Sequence, residues 1–182
     1  MEWTILGLLA DTSQTGYDIL RVFRTSPAMP WRSSSGSVYP ALKHLVSLGL
    51  AASSEGATEA GRNSVTYTIT PGGKEKLLSW LESPLAETMP GATTDVLIRL
   101  LFAHHGRPGV LRRVLTEYEN LIRSALAPAE ETLNQCCRCL PVHQQYCLTN
   151  GVMSLQAQLQ WVQTVLNDFP IQSAGGSGTC QL

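Results

Sequence analysis

The sequence predicts a mainly α protein carrying one small β-hairpin, and three observations predict it. Apolar residues recur at helical spacing through most of the segment 2–48, residues 64–69 alternate apolar and polar with a period of two, and no strand signal follows residue 92.

The segment Glu2 to Ala10 (EWTILGLLA) is apolar on nearly every side, so a short helix there has to be buried from several directions. Thr15 is a good N-cap, and Asp18 three residues later completes a capping-box-like start to a second helix. Leu20 and Phe23 follow at helical spacing, with Arg21 and Arg24 off that stripe and facing solvent or a partner. Gly16 and Tyr17 fix the turn into this helix, and Tyr17 is expected in the core. Ser33 to Gly36 break the pattern. Pro40 has to lie close to a helix start, where no internal amide bond is lost, which sets the third helix to begin near Ser37. Its buried stripe is Val38, Leu42, Leu45 and Leu48, and Gly49 supplies a left-handed cap. Tyr39, Pro40, Lys43, His44 and Ser47 are left on the opposite face.

From Leu50 the period changes. Val65, Tyr67 and Ile69 form the buried side of a strand, Ser64, Thr66 and Thr68 the other side, and Leu50 to Ser54 is its natural partner. Glu55 to Asn63 make a tip too long for a two-residue turn. Thr70 then caps a helix whose first residue is Pro71, running to about Glu82 and stopped by Pro84. Three helices, a hairpin and a fourth helix, in that order, make a winged helix-turn-helix over residues 1–83, with the third helix placed to enter a major groove and the hairpin as wing.

A proline-punctuated linker, Pro84 to Gly91, leads to an all-helical domain over residues 92–170. Asp95 to Ala103 is a short apolar helix, closed by His104 and His105, which suit its negative end. Val110 to Leu126 carries Leu111, Val114, Tyr118, Leu121 and Ala125 on one stripe, and Pro128 separates it from another short helical piece. The last helix holds Leu148, Val152, Leu155, Leu159, Val162, Leu166 and Phe169 four and three residues apart, a seven-residue repeat. Such a seam packs against another helix, of the same chain or of a second copy. The tail, 171–182, is rich in Gly and Ser and reads as disordered.

At 182 residues and 43% hydrophobic, the chain can bury a core. Its net charge of -1 speaks against nucleic acid at first sight, because phosphate neutralisation by Lys and Arg supplies much of the affinity. Up to Trp80, however, seven basic residues face six acidic ones, a local excess of one cation. DNA binding then requires the cations to share a face and a dimer to double the contacts. Five cysteines, three of them crowded at Cys136, Cys137 and Cys139, do not resemble a secreted disulfide framework. No apolar stretch approaches the roughly 18 residues of a membrane span. A cytoplasmic location with reduced thiols and no membrane partner is expected.

The words ILGLLA (Ile5 to Ala10), GYDI (Gly16 to Ile19), SGSVYPALKHL (Ser35 to Leu45), GL (Gly49, Leu50) and YTITPGG (Tyr67 to Gly73) occur in an order and at intervals that resemble the DNA-binding domain of the PadR family. VLIRLLFA (Val96 to Ala103) and the late helix with Trp161 look similar to the helical dimerisation domain of its longer members. The resemblance implies a homodimer that binds a palindromic operator in double-stranded DNA and represses, often until a small molecule releases it. It implies no catalytic residues and no cofactor. On the matching positions it points to Arg32, Ser35, Ser37, Tyr39, Pro40, Lys43 and His44, with Arg62 and Asn63 from the wing, as DNA-binding residues.

Hydroxyls and amides at Ser35, Ser37 and Tyr39 can bond phosphate oxygens, positioning rather than specifying. Alternatively the serines cap the helix and Tyr39 packs on the second helix. Lys43, one turn after Tyr39, can reach a base edge or a phosphate, with His44 beside it; a solvated pair is the alternative. One departure stands out. The family carries several Lys or Arg before the strand tyrosine, whereas Arg62 is followed here by Asn63, Ser64 and Val65. Fewer wing contacts are expected. Trp3, Trp31, Trp80 and Trp161 are either core residues or lining for an aromatic or apolar effector.

Two other function classes are open. Cys136, Cys139, His143 and Cys147 have the spacing of metal or thiol-sensor ligands on one helical face, but Pro141 disfavours helix at Leu140 and breaks that face. A winged-helix module that binds protein instead of DNA would also tolerate the low charge. An enzyme is not expected: the Ser33 to Ser37 run lacks the strand and the Lys of a nucleotide loop, and neither a nucleophile elbow nor paired catalytic carboxylates occur.

Overall fold

The computed structural model describes residues 1–25, 35–57, 63–85, 89–136 and 139–168. Arg32, Trp31, Arg62, Cys137, Phe169 and the tail 171–182 lie outside the described residues, as do the side chains of Ser35, Asn63 and Cys136. The chain divides into two compact units, Met1–Ser83 with Ile98–Arg107, and Pro84–Leu97 with Pro108–Leu182. Residues 98–107, read from the sequence as part of the helical second half, thus pack with the first unit.

The first unit runs α1 (Glu2–Asp11), β1 (Gln14–Thr15), α2 (Gly16–Thr25), α3 (Ser35–Ser47), β2 (Ala51–Ala57), β3 (Asn63–Ile69) and α4 (Pro71–Glu82). Ile5, Leu6 and Leu9 of α1 share one core with Ile19, Leu20 and Phe23 of α2, Val38, Leu42 and Leu45 of α3, Tyr67 and Ile69 of β3, and Leu77 and Leu81 of α4. Local signals decide the helix ends. Asp18 N–H bonds the Thr15 hydroxyl at 3.2 Å and the Asp18 carboxylate accepts from the Thr15 amide at 3.3 Å, a reciprocal capping box. Gly49, at φ 68°, ends α3 with Leu50 N–H on the Leu45 carbonyl and Gly49 N–H on the Val46 carbonyl, both at 3.0 Å, the Schellman pattern. Thr70 Oγ1 accepts from Gly73 N–H at 3.0 Å and donates to the Gly49 carbonyl at 2.7 Å, so one hydroxyl joins the end of α3 to the start of α4.

The sheet has three strands in the order β1-β3-β2, all pairs antiparallel, with Gln14 opposite Tyr67 and Ser53 opposite Tyr67 on its other side. The two-residue strand β1 was not expected, since its pairing spans some 50 residues. Several burial expectations also change. Tyr17 is 66% exposed rather than core, Leu48 is 54% exposed because it lies in the turn where α3 has already ended, and Val65 is 39% exposed. In α3 the helix begins at Ser35, two residues before the expected start, leaving Pro40 inside it. The carbonyl that loses its amide partner belongs to Gly36, which is exposed and open to water.

Residues 98–107 add a buried cation to this unit. Arg99, 2% exposed, donates from Nη1 to the Leu81 carbonyl at 3.1 Å and to the Ser83 carbonyl, and from Nη2 to Ser83 Oγ at 3.0 Å. These are the carbonyl groups at the C-terminal end of α4, where a cation is favoured. Its guanidinium lies 4.9 Å from the Trp80 ring centroid, and Trp80 stacks on Trp3 at 4.9 Å.

The second unit comprises the first part of α5 (Met89–Leu101), α6 (Val110–Cys136) and α7 (Val142–Asp168). Helix α5 starts six residues before the expected Asp95, with Pro90 in its first turn. Helix α6 continues through Pro128 rather than breaking there. Buried Leu126 lies just before the proline, and one turn's reach beyond it Glu130 accepts from Gln156 of α7 at 2.8 Å, so tertiary contacts override the local preference. Glu119 pairs with Gln163 and Glu130 with Gln156, which makes α6 and α7 antiparallel. Leu155, Leu159, Val162 and Leu166 pack in one core with Val114, Leu115, Tyr118 and Ile122, and Val152 is buried as well, so the heptad seam is used within the chain. The Tyr118 hydroxyl donates to Gln158 Oε1 at 2.9 Å and also meets Thr93 Oγ1 at 2.9 Å. Burial raises its pKa above the usual tyrosine value.

Candidate nucleic-acid interface

The outward face of α3 is set by what its inward face buries. Val38, Leu42 and Leu45 are sealed in the core, which turns Tyr39, Pro40, Lys43, His44 and Ser47 to solvent. Tyr39 packs on the start of the second helix, the alternative to a phosphate contact, and keeps part of its side chain in solvent. Its ring lies against Gly16, where an added Cβ would meet Cε1 at 2.5 Å, yet the side chain remains 40% exposed. Glycine at position 16 therefore holds the start of α2 against the first turns of α3 and fixes where the phenol stands.

Lys43 is exposed one turn further on, and no described residue pairs with it. His44 is engaged: its Nδ1 lies 2.7 Å from Glu2 Oε1, so the carboxylate at the head of α1 restrains an imidazole that stays exposed on the outward face. Ser37 is half-buried near the helix start. Thr15 acts as the cap of α2, as its sequence position suggests.

Tyr17, expected in the core, stands on the surface of α2. Tyr17, Arg21 and Arg24 stand at i, i+4 and i+7 on α2 and all three are exposed, while Ile19, Leu20 and Phe23 are buried. That polar row was available in the periodicity: the residue one turn before Arg21 shares its face. Arg21 is only loosely tied, 3.9 Å from Asp18. The wing contrasts with the helices. Among the described residues of β2 and β3 the one charged side chain is Glu55.

Elsewhere, Cys139, His143 and Cys147 are exposed, Cys139 between α6 and α7 and the other two within α7. Among the described residues they do not converge as three ligands. Helix α7 begins only at Val142, so the interruption expected from Pro141 is present.

Residues 5–79 match the profile of the Transcriptional regulator PadR-like family. The chain is 31% identical over 91 residues to the negative transcriptional regulator PadR of Bacillus subtilis (strain 168), a match that covers 49% of this chain and 50% of that relative. It thus spans about half the length of that relative. Among solved structures, Bacillus subtilis PadR in complex with operator DNA is similar at 21% identity and TM-score 0.44, covering 91% of this chain and 97% of the other. The same protein in complex with p-coumaric acid is similar at 20% identity and TM-score 0.40, covering 91% and 92%.

Proposed function

Because residues 5–79 match the PadR-like family of transcriptional regulators, we propose that the chain is a member of it, an intracellular repressor that binds a palindromic operator in double-stranded DNA as a homodimer. The observation that carries the proposal is the outward face of α3: a phenol fixed by its contact with Gly16, followed one turn later by a cation that no described residue neutralises. Tyr39 and Ser37 are positioning donors to phosphates, and Lys43 reads a base edge or a phosphate. Tyr17, Arg21 and Arg24 on α2 supply further backbone contacts. Arg32, Ser35, Pro40, Arg62 and Asn63 complete the proposed set, with His44 acting through its bond to Glu2 as a brace for the helix. A wing with so little positive charge leaves the recognition helix with most of the affinity.

Repression is supported by the 31% identical relative, a negative regulator. Dimerisation is supported by Val142, Tyr146 and Met153, large apolar residues exposed on α7 although its main seam is buried within the chain. An aromatic or apolar effector is proposed on the family resemblance, with the half-buried Trp161, 6.4 Å from the Tyr118 ring, as a candidate contact for it. A mobility shift with the DNA beside the protein's own gene, run across a salt series, tests the core of this reading. Specific retardation is expected, with a salt slope below eight released ions because wing cations are few. Absence of specific retardation at every salt concentration would make the chain a protein-binding winged helix instead.

A further inference from the structure

At the end of α1, Asp11 Oδ1 receives two imidazoles at once: His104 Nε2 at 2.7 Å and His105 Nε2 at 2.8 Å. The histidines are consecutive in the short 3₁₀ turn Ala103–His105, and their ring centroids are 4.1 Å apart. They therefore do not close α5 as the sequence suggested, but turn together onto one carboxylate oxygen. All three side chains belong to the first unit. The three ligand-type atoms lie within 4.8 Å of one another.

We propose that Asp11, His104 and His105 form a binding site for a divalent transition metal, Zn²⁺ or its chemical neighbours Co²⁺ and Ni²⁺, with water in the remaining positions. Two imidazoles and a carboxylate are borderline donors that suit these ions better than Mg²⁺ or Ca²⁺, which prefer oxygen alone. Ligand bonds of about 2.0–2.2 Å in a tetrahedron place the donor atoms about 3.3–3.6 Å apart. The present separations of 2.7 and 2.8 Å to Asp11 need to open by about 0.5–0.9 Å, and the histidine side chains can supply that motion. A neutral imidazole binds the ion through the Nε2 lone pair in the tautomer that carries its single proton on Nδ1, so a ring that donates from Nε2 to Oδ1 passes that proton to Nδ1 through solvent as the ion enters.

The neighbourhood allows an ion to enter and leave. His104 and Asp11 are exposed and His105 is partly so. The cation nearby is Lys74 of α4, which weakens the site without filling it. An ion there would join residue 11 to residues 104 and 105, 93 and 94 positions apart in the chain, and so stabilise the fold of the first unit by closing a long loop.

The test is a titration of the full chain with CoCl₂ under reducing conditions, followed by visible absorption, beside a ZnCl₂ titration read as a rise in Tm. Cysteines elsewhere in the chain announce themselves by thiolate charge-transfer bands in the near ultraviolet, which oxygen and nitrogen ligands lack. The expected result is one equivalent of Co²⁺ with d–d absorption free of thiolate bands. His105→Ala and Asp11→Asn should each weaken that equivalent about 100-fold or more, since loss of an outer-shell partner alone costs 10–100-fold. Asp11→Asn keeps an oxygen that can accept from both histidines, so it preserves the metal-free fold, checked by circular dichroism. Unchanged Co²⁺ affinity and spectrum in folded Asp11→Asn and His105→Ala, or no thiolate-free equivalent in the wild type, would overturn the site.

Discussion

Helices α3 and α7 obey the same inward rule and differ in what they show the solvent. Each turns a stripe of aliphatic residues at three and four spacing inward: Val38, Leu42 and Leu45 in α3, and in α7 the buried Val152 and Val162 with the half-buried Leu155 and Leu159 between them. Outside, α3 offers a phenol, a lysine and a histidine, whereas α7 offers Val142, Tyr146 and Met153. Periodicity alone therefore says that both are amphipathic; the composition of the outer face says what each can meet. A polar, cationic face suits a phosphate-lined groove, and exposed apolar side chains suit a protein surface.

The largest effect should come from the inner faces, which the comparison treats as equivalent. Leu42→Ala and Val162→Ala remove atoms from fully buried positions, and Leu42→Ala is expected to cost about 2–5 kcal/mol, read by denaturant unfolding. Leu48→Ala, on the same helical stripe by sequence but exposed, should stay within about 0.5 kcal/mol. Equal losses at Leu42 and Leu48 would mean that the burial assigned to α3 is wrong.

Next come the outer faces. Lys43→Ala should weaken operator binding by about 1–3 kcal/mol per site while leaving the unfolding midpoint unchanged. Tyr146→Glu should do the reverse, shifting sedimentation from dimer to monomer without touching the recognition helix. If Lys43→Ala altered oligomeric state or Tyr146→Glu left it untouched, the division of labour between the two faces would fail.

The smallest effect concerns α6 and α7. Glu119 is held below the usual carboxylate range, first by the hydrogen bond from Gln163 and then by Arg123. Its folded pKa is depressed, so its stabilisation is complete above the ordinary value of 4.5 and is lost as pH falls through the lower folded value. Gln163→Ala should therefore flatten the loss of stability on acidification below about pH 4.5, with little change at neutral pH, where the exposed ion pair with Arg123 remains.

Much of the first unit was legible because its signals are local. Thr15 with Asp18, Gly49, and Thr70 with Pro71 each act within one turn of a helix, and each is found doing what its position suggests. What escaped is non-local. The strand Gln14–Thr15 exists only because Thr66 and Tyr67 arrive beside it, and α6 runs on through the exposed Pro128 to Glu130, which is tied to Gln156 of α7. Asp11 could not be linked to His104 and His105 across more than 90 residues of sequence. Tyr17 differs for another reason: its aromatic ring suggests the core, whereas its helical spacing puts it in the exposed row with Arg21 and Arg24.

The proposed role of the α3 face is tested most directly by selecting bound duplexes from a random DNA pool with the wild-type chain and with Lys43→Ala in parallel. The expected outcome is an enriched palindrome whose half-sites lie about 10–10.5 base pairs, or a multiple, apart, with enrichment lost or relaxed in the variant. No enriched sequence with the wild type, or the same palindrome recovered equally well by Lys43→Ala, would contradict it.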